Sequence, residues 1–260
     1  MSDAPVLYDV NDSIGQITLN RPLSRNSMDN ELLPAFQETI GSVIRDRSLR
    51  CLIISGTGEN FCSGVDFRSD LLDDRGRLPN ETFMAVYRPF LAILDIEVPT
   101  IAAMNGHAIG GGLGLALVCD LRVANKAAKY GANFARLGVH SGMAMSYILP
   151  RLVGLPVASE LLLTGRLING GMAAEMGMVN YAVEPDRVLE KALELAREIA
   201  SCAPVAVRMM KRSIYRGLDW DVRNAAELDS HFQSRTYKME DAEEGIRALL
   251  ERRKPVFRGR

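Results

Sequence analysis

Short apolar runs alternate with segments of helical spacing through the first two-thirds of the chain, and this alternation limits the possible folds most. Residues 14–19, Ile-Gly-Gln-Ile-Thr-Leu, alternate and are β-branched, which suits a strand ended by Asn20-Arg-Pro22. Residues 29–47 then place Leu32, Leu33, Phe36, Ile40, Val43 and Ile44 at helical spacing, with Pro34 admissible in the first turn. Cys51-Leu-Ile-Ile54 reads as a buried strand running into the turn Gly56-Thr-Gly58. Residues 71–79 are polar and predict a surface loop, 82–96 a helix, and 99–104 a strand ending at Asn105-Gly106. Gly110-Gly-Gly112 opens a helix through Val118, and 120–124 returns as a strand. Such an order implies an α/β fold with parallel strands and crossover helices. Beyond Val179 the pattern predicts no more strands. Residues 187–201, 204–216, 221–237 and 241–253 read as successive helices, with a boundary near Ala203-Pro204 dividing 1–203 from 204–260.

Composition removes several classes. A chain of 260 residues can bury one large core. Lys plus Arg number 31 against 32 Asp plus Glu, a formal charge of −1, which argues against a basic nucleic-acid groove. The balance is uneven: residues 1–200 hold 18 basic against 23 acidic side chains, residues 201–260 hold 13 against 9. That basic end suits subunit contacts and phosphate groups. No apolar run approaches the roughly 20 residues that span a bilayer. Residues 1–9 carry Asp3 and Asp9 and no basic stretch, unlike a signal peptide. Cys51, Cys62, Cys119 and Cys202 form no CxxC pair and read as buried thiols of a reducing, cytoplasmic setting. No three metal ligands stand at a recognised spacing, so no metal is expected.

Two glycine-containing turns carry the chemistry: Asn60-Phe-Cys-Ser-Gly-Val-Asp-Phe-Arg68 and Asn105-Gly-His-Ala-Ile-Gly-Gly-Gly-Leu-Gly114. Each follows a predicted strand, so both open at the same end of a parallel layer. Glycine lets the backbone approach a ligand, and amides at a helix start point outward unpaired. One amide from each turn makes an oxyanion hole, favoured by the helix dipole; losing one such donor costs about 3 to 4 kcal/mol of transition-state stabilisation. A glycine cluster before a helix also serves as a plain packing or turn device. The dinucleotide GxGxxG spacing and the P-loop Gly-Lys-Ser/Thr are both missing.

Taken together, the motifs resemble the crotonase, or enoyl-CoA hydratase/isomerase, superfamily over nearly the whole chain. The matching stretches are Asn20-Arg-Pro-Leu-Ser-Arg-Asn26, Gly56-Thr-Gly-Glu-Asn-Phe-Cys-Ser-Gly-Val-Asp66 and Pro99-Thr-Ile-Ala-Ala-Met-Asn-Gly-His-Ala-Ile-Gly-Gly-Gly112. Cys119-Asp120, Leu152-Val-Gly154, Leu163-Thr-Gly165 and Glu251-Arg-Arg-Lys-Pro-Val-Phe257 follow in order. The resemblance implies a spiral of ββα turns with a C-terminal helical trimerisation region, assembling as a homotrimer or dimer of trimers. It implies an acyl-CoA thioester substrate, no cofactor beyond the coenzyme A that the substrate carries, and neither nucleic acid nor membrane as partner. Its oxyanion amides map to Val65 and Gly111, flanked by Gly64 and Gly110. Its coenzyme A contacts map to Arg25, Asn26, Asp66 and Arg68, with Phe257 and Arg258 from the tail.

The chain departs from that family where proton transfer is expected. The two hydratase glutamates would fall at Gly114 and Phe134, and an aspartate of isomerase and dehalogenase branches near Ser141 or Gly142. None is a carboxylate, so two-glutamate hydration is not expected; isomerisation, hydrolysis or another enolate reaction, or acyl-CoA binding without catalysis, remain. His140 is a candidate acid/base, or else packs on Tyr147 or bonds a backbone carbonyl. Ser141 is a weaker candidate nucleophile. Asp66 fits a turn-fixing role as well as an exposed one. Glu81, Tyr87 and Arg88 lie on a helix that the sequence does not orient. His107 reads as structural and His231 as core or interface. Met143-Ala-Met145 suits an adaptable apolar wall or plain packing.

Overall fold

The computed structural model describes residues 3–73, 76 and 78–260. The chain opens with β1 (Val6–Asn11) and β2 (Ile14–Leu19), an antiparallel hairpin. Its two linking residues, Asp12 and Ser13, both have positive φ, as a hairpin turn matching strand twist requires. Helix α1 (Leu32–Arg45) follows, and Asp29 Oδ1 accepts from the Glu31 and Leu32 amides at its start. Buried Leu32, Leu33, Phe36, Ile40 and Val43 form its inner stripe.

A two-strand, one-helix unit then repeats. It runs β3 (Cys51–Gly56), β4 (Asn60–Cys62), α2 (Pro79–Leu91); then β5 (Thr100–Met104), β6 (His107–Ile109), α3 (Gly111–Leu117); then β7 (Leu121–Asn125), β8 (Lys129–Gly131), α4 (Met145–Thr164). The first strand of each unit joins one sheet and the second joins another. With β9 (Ile168–Asn169), α5 (Gly170–Glu175) and β10 (Tyr181–Val183), the sheets are ordered β1-β2-β3-β5-β7-β10 and β4-β6-β8-β9. Every ladder except β1/β2 and β8/β9 is parallel. Each unit therefore advances one place along both sheets, and the chain winds as a ββα spiral. Helices α6 (Val188–Ala200), α7 (Pro204–Gly217), α8 (Val222–Tyr237) and α9 (Glu240–Leu250) complete it.

The larger sheet is apolar on both faces, as a covered parallel sheet must be. Leu52, Ile54, Ala102 and Met104 face the main core under α1 to α4, whereas Cys51, Ile53, Ile101 and Ala103 face Val188, Ala192 and Ala196 of α6. Helix α7 crosses one end of this sheet. Lys211 there pairs with Asp120 at 2.8 Å and donates to the Val98 carbonyl, and Arg208 donates to the Leu49 carbonyl.

Several expectations are corrected. Strands continue past Val179, because Tyr181–Val183 pairs in parallel with β7; three residues are too few to show alternation. The short β4, β6, β8 and β9 were hidden for the same reason or inside turns, and β1, six residues long, buries only Val6 and so shows no alternating apolar pattern. The helix expected over 82–96 starts at Pro79 and tightens to a 3-10 turn over Ala92–Asp95. Leu71 and Leu72 belong to a 3-10 turn packed on the core rather than an open loop; 74, 75 and 77 of that segment, and residues 1 and 2, lie outside the described residues. Cys202 is exposed, unlike the other three cysteines, and so is His231. Finally, α4 is 20 residues long with mean hydropathy 1.3, enough by length and composition to cross a membrane. It is two helices joined at a kink: the backbone leaves helical conformation at Gly154 (φ 76°, ψ 161°), between Pro150 and Pro156.

Candidate active site

Strands β4 and β6 lie side by side and parallel, so the turns that leave them meet. In the first, the Gly64 carbonyl accepts from Met28 N at 2.8 Å and Asp66 N donates to the Met28 carbonyl at 3.0 Å. That bridge holds the residue between them, Val65, with its own N–H facing the other way. In the second, Gly110 N donates to the Gly131 carbonyl at 2.8 Å, and Gly111 is the first residue of α3. Among the described residues, neither the Val65 nor the Gly111 N–H donates to a protein acceptor. Two outward amides on adjacent turns are the donor arrangement an oxyanion needs.

Glycine is obligatory here for space as well as conformation. A Cβ on Gly112 would stand 1.9 Å from the Cys62 carbonyl oxygen, and one on Gly64 would stand 2.8 Å from the Ile109 carbonyl oxygen and 3.2 Å from Gly111 N. Gly64 (φ 87°) and Gly110 (φ 54°) also sit in the left-handed region. Cys62 lies at the base of the site, where burial pushes its thiol up to about 12. It is therefore a packing residue and not a thiolate nucleophile.

The walls around the amides are largely apolar; the exception is Asn133, whose Oδ1 lies 3.6 Å from where a Cβ on Gly110 would stand. Met28 Sδ lies 3.0 Å from where a Cβ on Gly111 would stand, and Phe134 Cζ lies 3.7 Å from the same point on Gly110. At Gly114, one turn further along α3, the missing side chain's place is taken by Met143, whose Cβ would be 2.5 Å and Cγ 2.8 Å away. At Gly142 it is taken by Tyr87, whose hydroxyl oxygen would be 2.5 Å away. Of the three α2 residues the sequence left unoriented, Glu81 and Arg88 are exposed, and only Tyr87 turns inward. Helical phase does not reveal this, because Thr82, Val86 and Pro89 form a second buried face towards α1. That face borders a cavity of 310 Å³ lined by Asn30, Leu33, Gln37, Leu71 and Thr82 among others, which does not include Val65 or Gly111.

The remaining candidates take the following places. His140 is exposed, its Nδ1 2.7 Å from the Ser141 carbonyl oxygen, so that Nδ1 donates there and Nε2 is left as the acceptor. Asp66 accepts from Arg68 N, Nε and Nη2 at 3.0, 3.0 and 3.2 Å, and that guanidinium holds its carboxyl below the usual carboxylate range. Asp66 is thus turn-fixing, and Arg68 stands 84% exposed beside it. Arg25 is exposed with φ 58°, and its carbonyl accepts from Ser63 N. Asn26 is fully buried: its Oδ1 accepts from Arg21 N, and its Nδ2 donates to the Thr57 and Asn60 carbonyls. Its side chain clamps the first turn and its N–H donates to the Arg21 carbonyl at 2.9 Å, so the sequence-predicted coenzyme A contact at Asn26 is an interior clamp in this structure. The Phe257 carbonyl accepts from Arg50, and the Arg258 and Gly259 amides donate to Asp241, so within one chain the tail is tied to α9 and β3's start. His107 Nδ1 accepts from Lys129 N, the structural role foreseen for it.

With this geometry in hand, comparison with known proteins is consistent along the whole chain. The sequence model of the family described as "Enoyl-CoA hydratase/isomerase" matches residues 9–260. The (E)-benzylidenesuccinyl-CoA hydratase of Thauera aromatica is 36% identical over 98% of this chain and 99% of its own. "Enoyl-CoA hydratase domain-containing protein 2, mitochondrial" of Mus musculus is 36% identical over 96% of this chain and 86% of its own. Among solved structures, an enoyl-CoA hydratase from Bacillus anthracis superposes with a TM-score of 0.93 at 31% identity, covering 98% of this chain and 100% of that one.

Proposed function

The chain belongs to the enoyl-CoA hydratase/isomerase family, and from that premise we propose that the Val65 and Gly111 amides hold a thioester carbonyl oxygen. There they stabilise the enolate or tetrahedral oxyanion that forms when the thioester reacts. The two outward-facing donors on one wall carry this reading.

The reaction is set by what stands beside that pair. Adding water across a 2-enoyl thioester needs one group to activate water and another to protonate the α-carbon. Relatives carry hydratase names, yet this chain has Met143 packed on Gly114 and the Phe134 ring against Gly110. Neither side chain transfers a proton. Isomerisation, hydrolysis or another enolate reaction therefore fits these residues better than two-carboxylate hydration. His140 Nε2 is the imidazole available as acid or base. A second reading, an acyl-CoA-binding protein without turnover, draws support from the same apolar filling.

One experiment separates these readings: saturated, 2-enoyl, 3-enoyl and 3-hydroxyacyl-CoA thioesters are each followed for binding and for turnover. Crotonyl-CoA hydration should be slow or absent; robust hydration by the purified protein would overturn the proposed chemistry. Where turnover is found, His140→Ala should lower kcat about 100-fold with KM little changed. Tight binding without turnover, indifferent to His140→Ala, would establish the binding protein.

A further inference from the structure

From the placement of one hydroxyl we infer that Tyr87 is a specificity-determining residue, donating a hydrogen bond to an oxygen on the acyl chain, so that the pocket prefers hydroxy- or oxo-acyl thioesters. The inference rests on the acyl-CoA reading above and adds the chemistry of the acyl group to it.

Three observations carry it. Tyr87 is half-buried and packs on the main core, yet its hydroxyl reaches the Gly142 backbone so closely that no side chain fits there. Gly142 precedes Met143, whose side chain fills the space at Gly114, one helical turn from Gly111. Tyr87 and α3 thus pack against consecutive residues of one segment, Gly142 and Met143. Among the described residues, no protein group donates to or accepts from this hydroxyl. It lies against the Gly142 backbone, the Phe83 ring is 6.4 Å from that of Tyr87, and the hydroxyl keeps a share of its contact with solvent.

A phenol turned into an apolar wall without a protein partner loses part of its hydration and gains nothing that phenylalanine would not give. A ligand oxygen that replaces water at this hydroxyl turns that loss into selectivity, because a chain lacking the oxygen leaves the phenol unpaired. Burial raises the Tyr87 phenol above the ordinary tyrosine range, so it is protonated at neutral pH and acts as a donor.

The test is calorimetric binding of butyryl-CoA, 3-hydroxybutyryl-CoA and 4-hydroxybutyryl-CoA to the full-length protein and to Tyr87→Phe. The parent should bind at least one hydroxylated thioester about tenfold more tightly than butyryl-CoA. Tyr87→Phe should bring the three within about twofold of one another, with butyryl-CoA bound no more weakly than by the parent, a loss of discrimination that a merely structural tyrosine would not produce. A preference that survives Tyr87→Phe, or a parent that binds all three alike, overturns the assignment and leaves the acyl-CoA reading intact. A parent that binds none of them overturns both.

Discussion

Gly114 and Met143 illustrate how single residues define this site. Met143 and Ala144 hold φ values of 57° and 53°, a conformation that side-chain-bearing residues adopt at a cost of about 1 kcal/mol each. That strained corner swings the Met143 side chain onto Gly114. Restoring a carboxylate with Gly114→Glu then overpacks the wall, and we expect a loss of about 2–3 kcal/mol in urea unfolding. Adding Met143→Ala should recover most of it, a non-additivity that identifies the pair as sharing one space. A single variant as stable as the parent would show that methionine does not occupy that volume. The glycines of this site were legible in sequence, since no other residue fits beside the Cys62 carbonyl. Met143's role was not: it depends on a left-handed turn made without glycine or asparagine, which leaves no compositional trace. The same holds for Tyr87, whose direction depends on which of two buried faces of α2 meets which neighbour.

Among the elements, the C-terminal helices are fixed by buried polar contacts. Asp120 Oδ2 accepts from the Thr100 amide and hydroxyl at 2.7 and 2.9 Å and pairs with Lys211 at 2.8 Å, both partners being mostly buried. Asp120→Ala strands that lysine and should cost about 3 kcal/mol in chemical denaturation, with part regained in Asp120→Ala/Lys211→Met. At the tail, Glu244 accepts from both Arg253 terminal nitrogens, at 2.6 and 2.8 Å, and from Val256 N. The Arg253 hydrogen bonds lower its pKa from an ordinary 4.5 to about 2. A carboxyl depressed in the folded state stabilises fully above its unfolded value, and that contribution fades as pH falls from about 4.5 to about 2. Hydrogen exchange at Val256 should therefore accelerate across that window in the parent and be pH-flat in Glu244→Gln, beyond the intrinsic acid dependence. The long helices and the strands over 14–19 and 51–54 could be read from periodicity alone. The second strand of each unit, three residues long, could not, and those strands are what bring the two turns together.

For the molecule as a whole, the apolar residues left uncovered concentrate towards its C-terminal end. Ile214, Leu218, Trp220, Val222, Leu249 and Leu250 are all exposed on or beside α7, α8 and α9. Single exposed apolar residues are ordinary, whereas so many on three successive helices are what a subunit contact surface requires. They support the proposed homotrimer or dimer of trimers, for which light scattering should return three or six times the chain mass. Leu249→Glu with Leu250→Glu should shift that mass to the monomer; a parent that is monomeric at micromolar concentration would refute the assembly. The contact between Gly112 and the Cys62 carbonyl has another consequence, for the protein's descent. Segments far apart in sequence meet there with no room for one methyl group, so neither turn can drift alone. Inheritance must carry them as a linked pair, and recombination between relatives that divides them joins two halves never selected to fit.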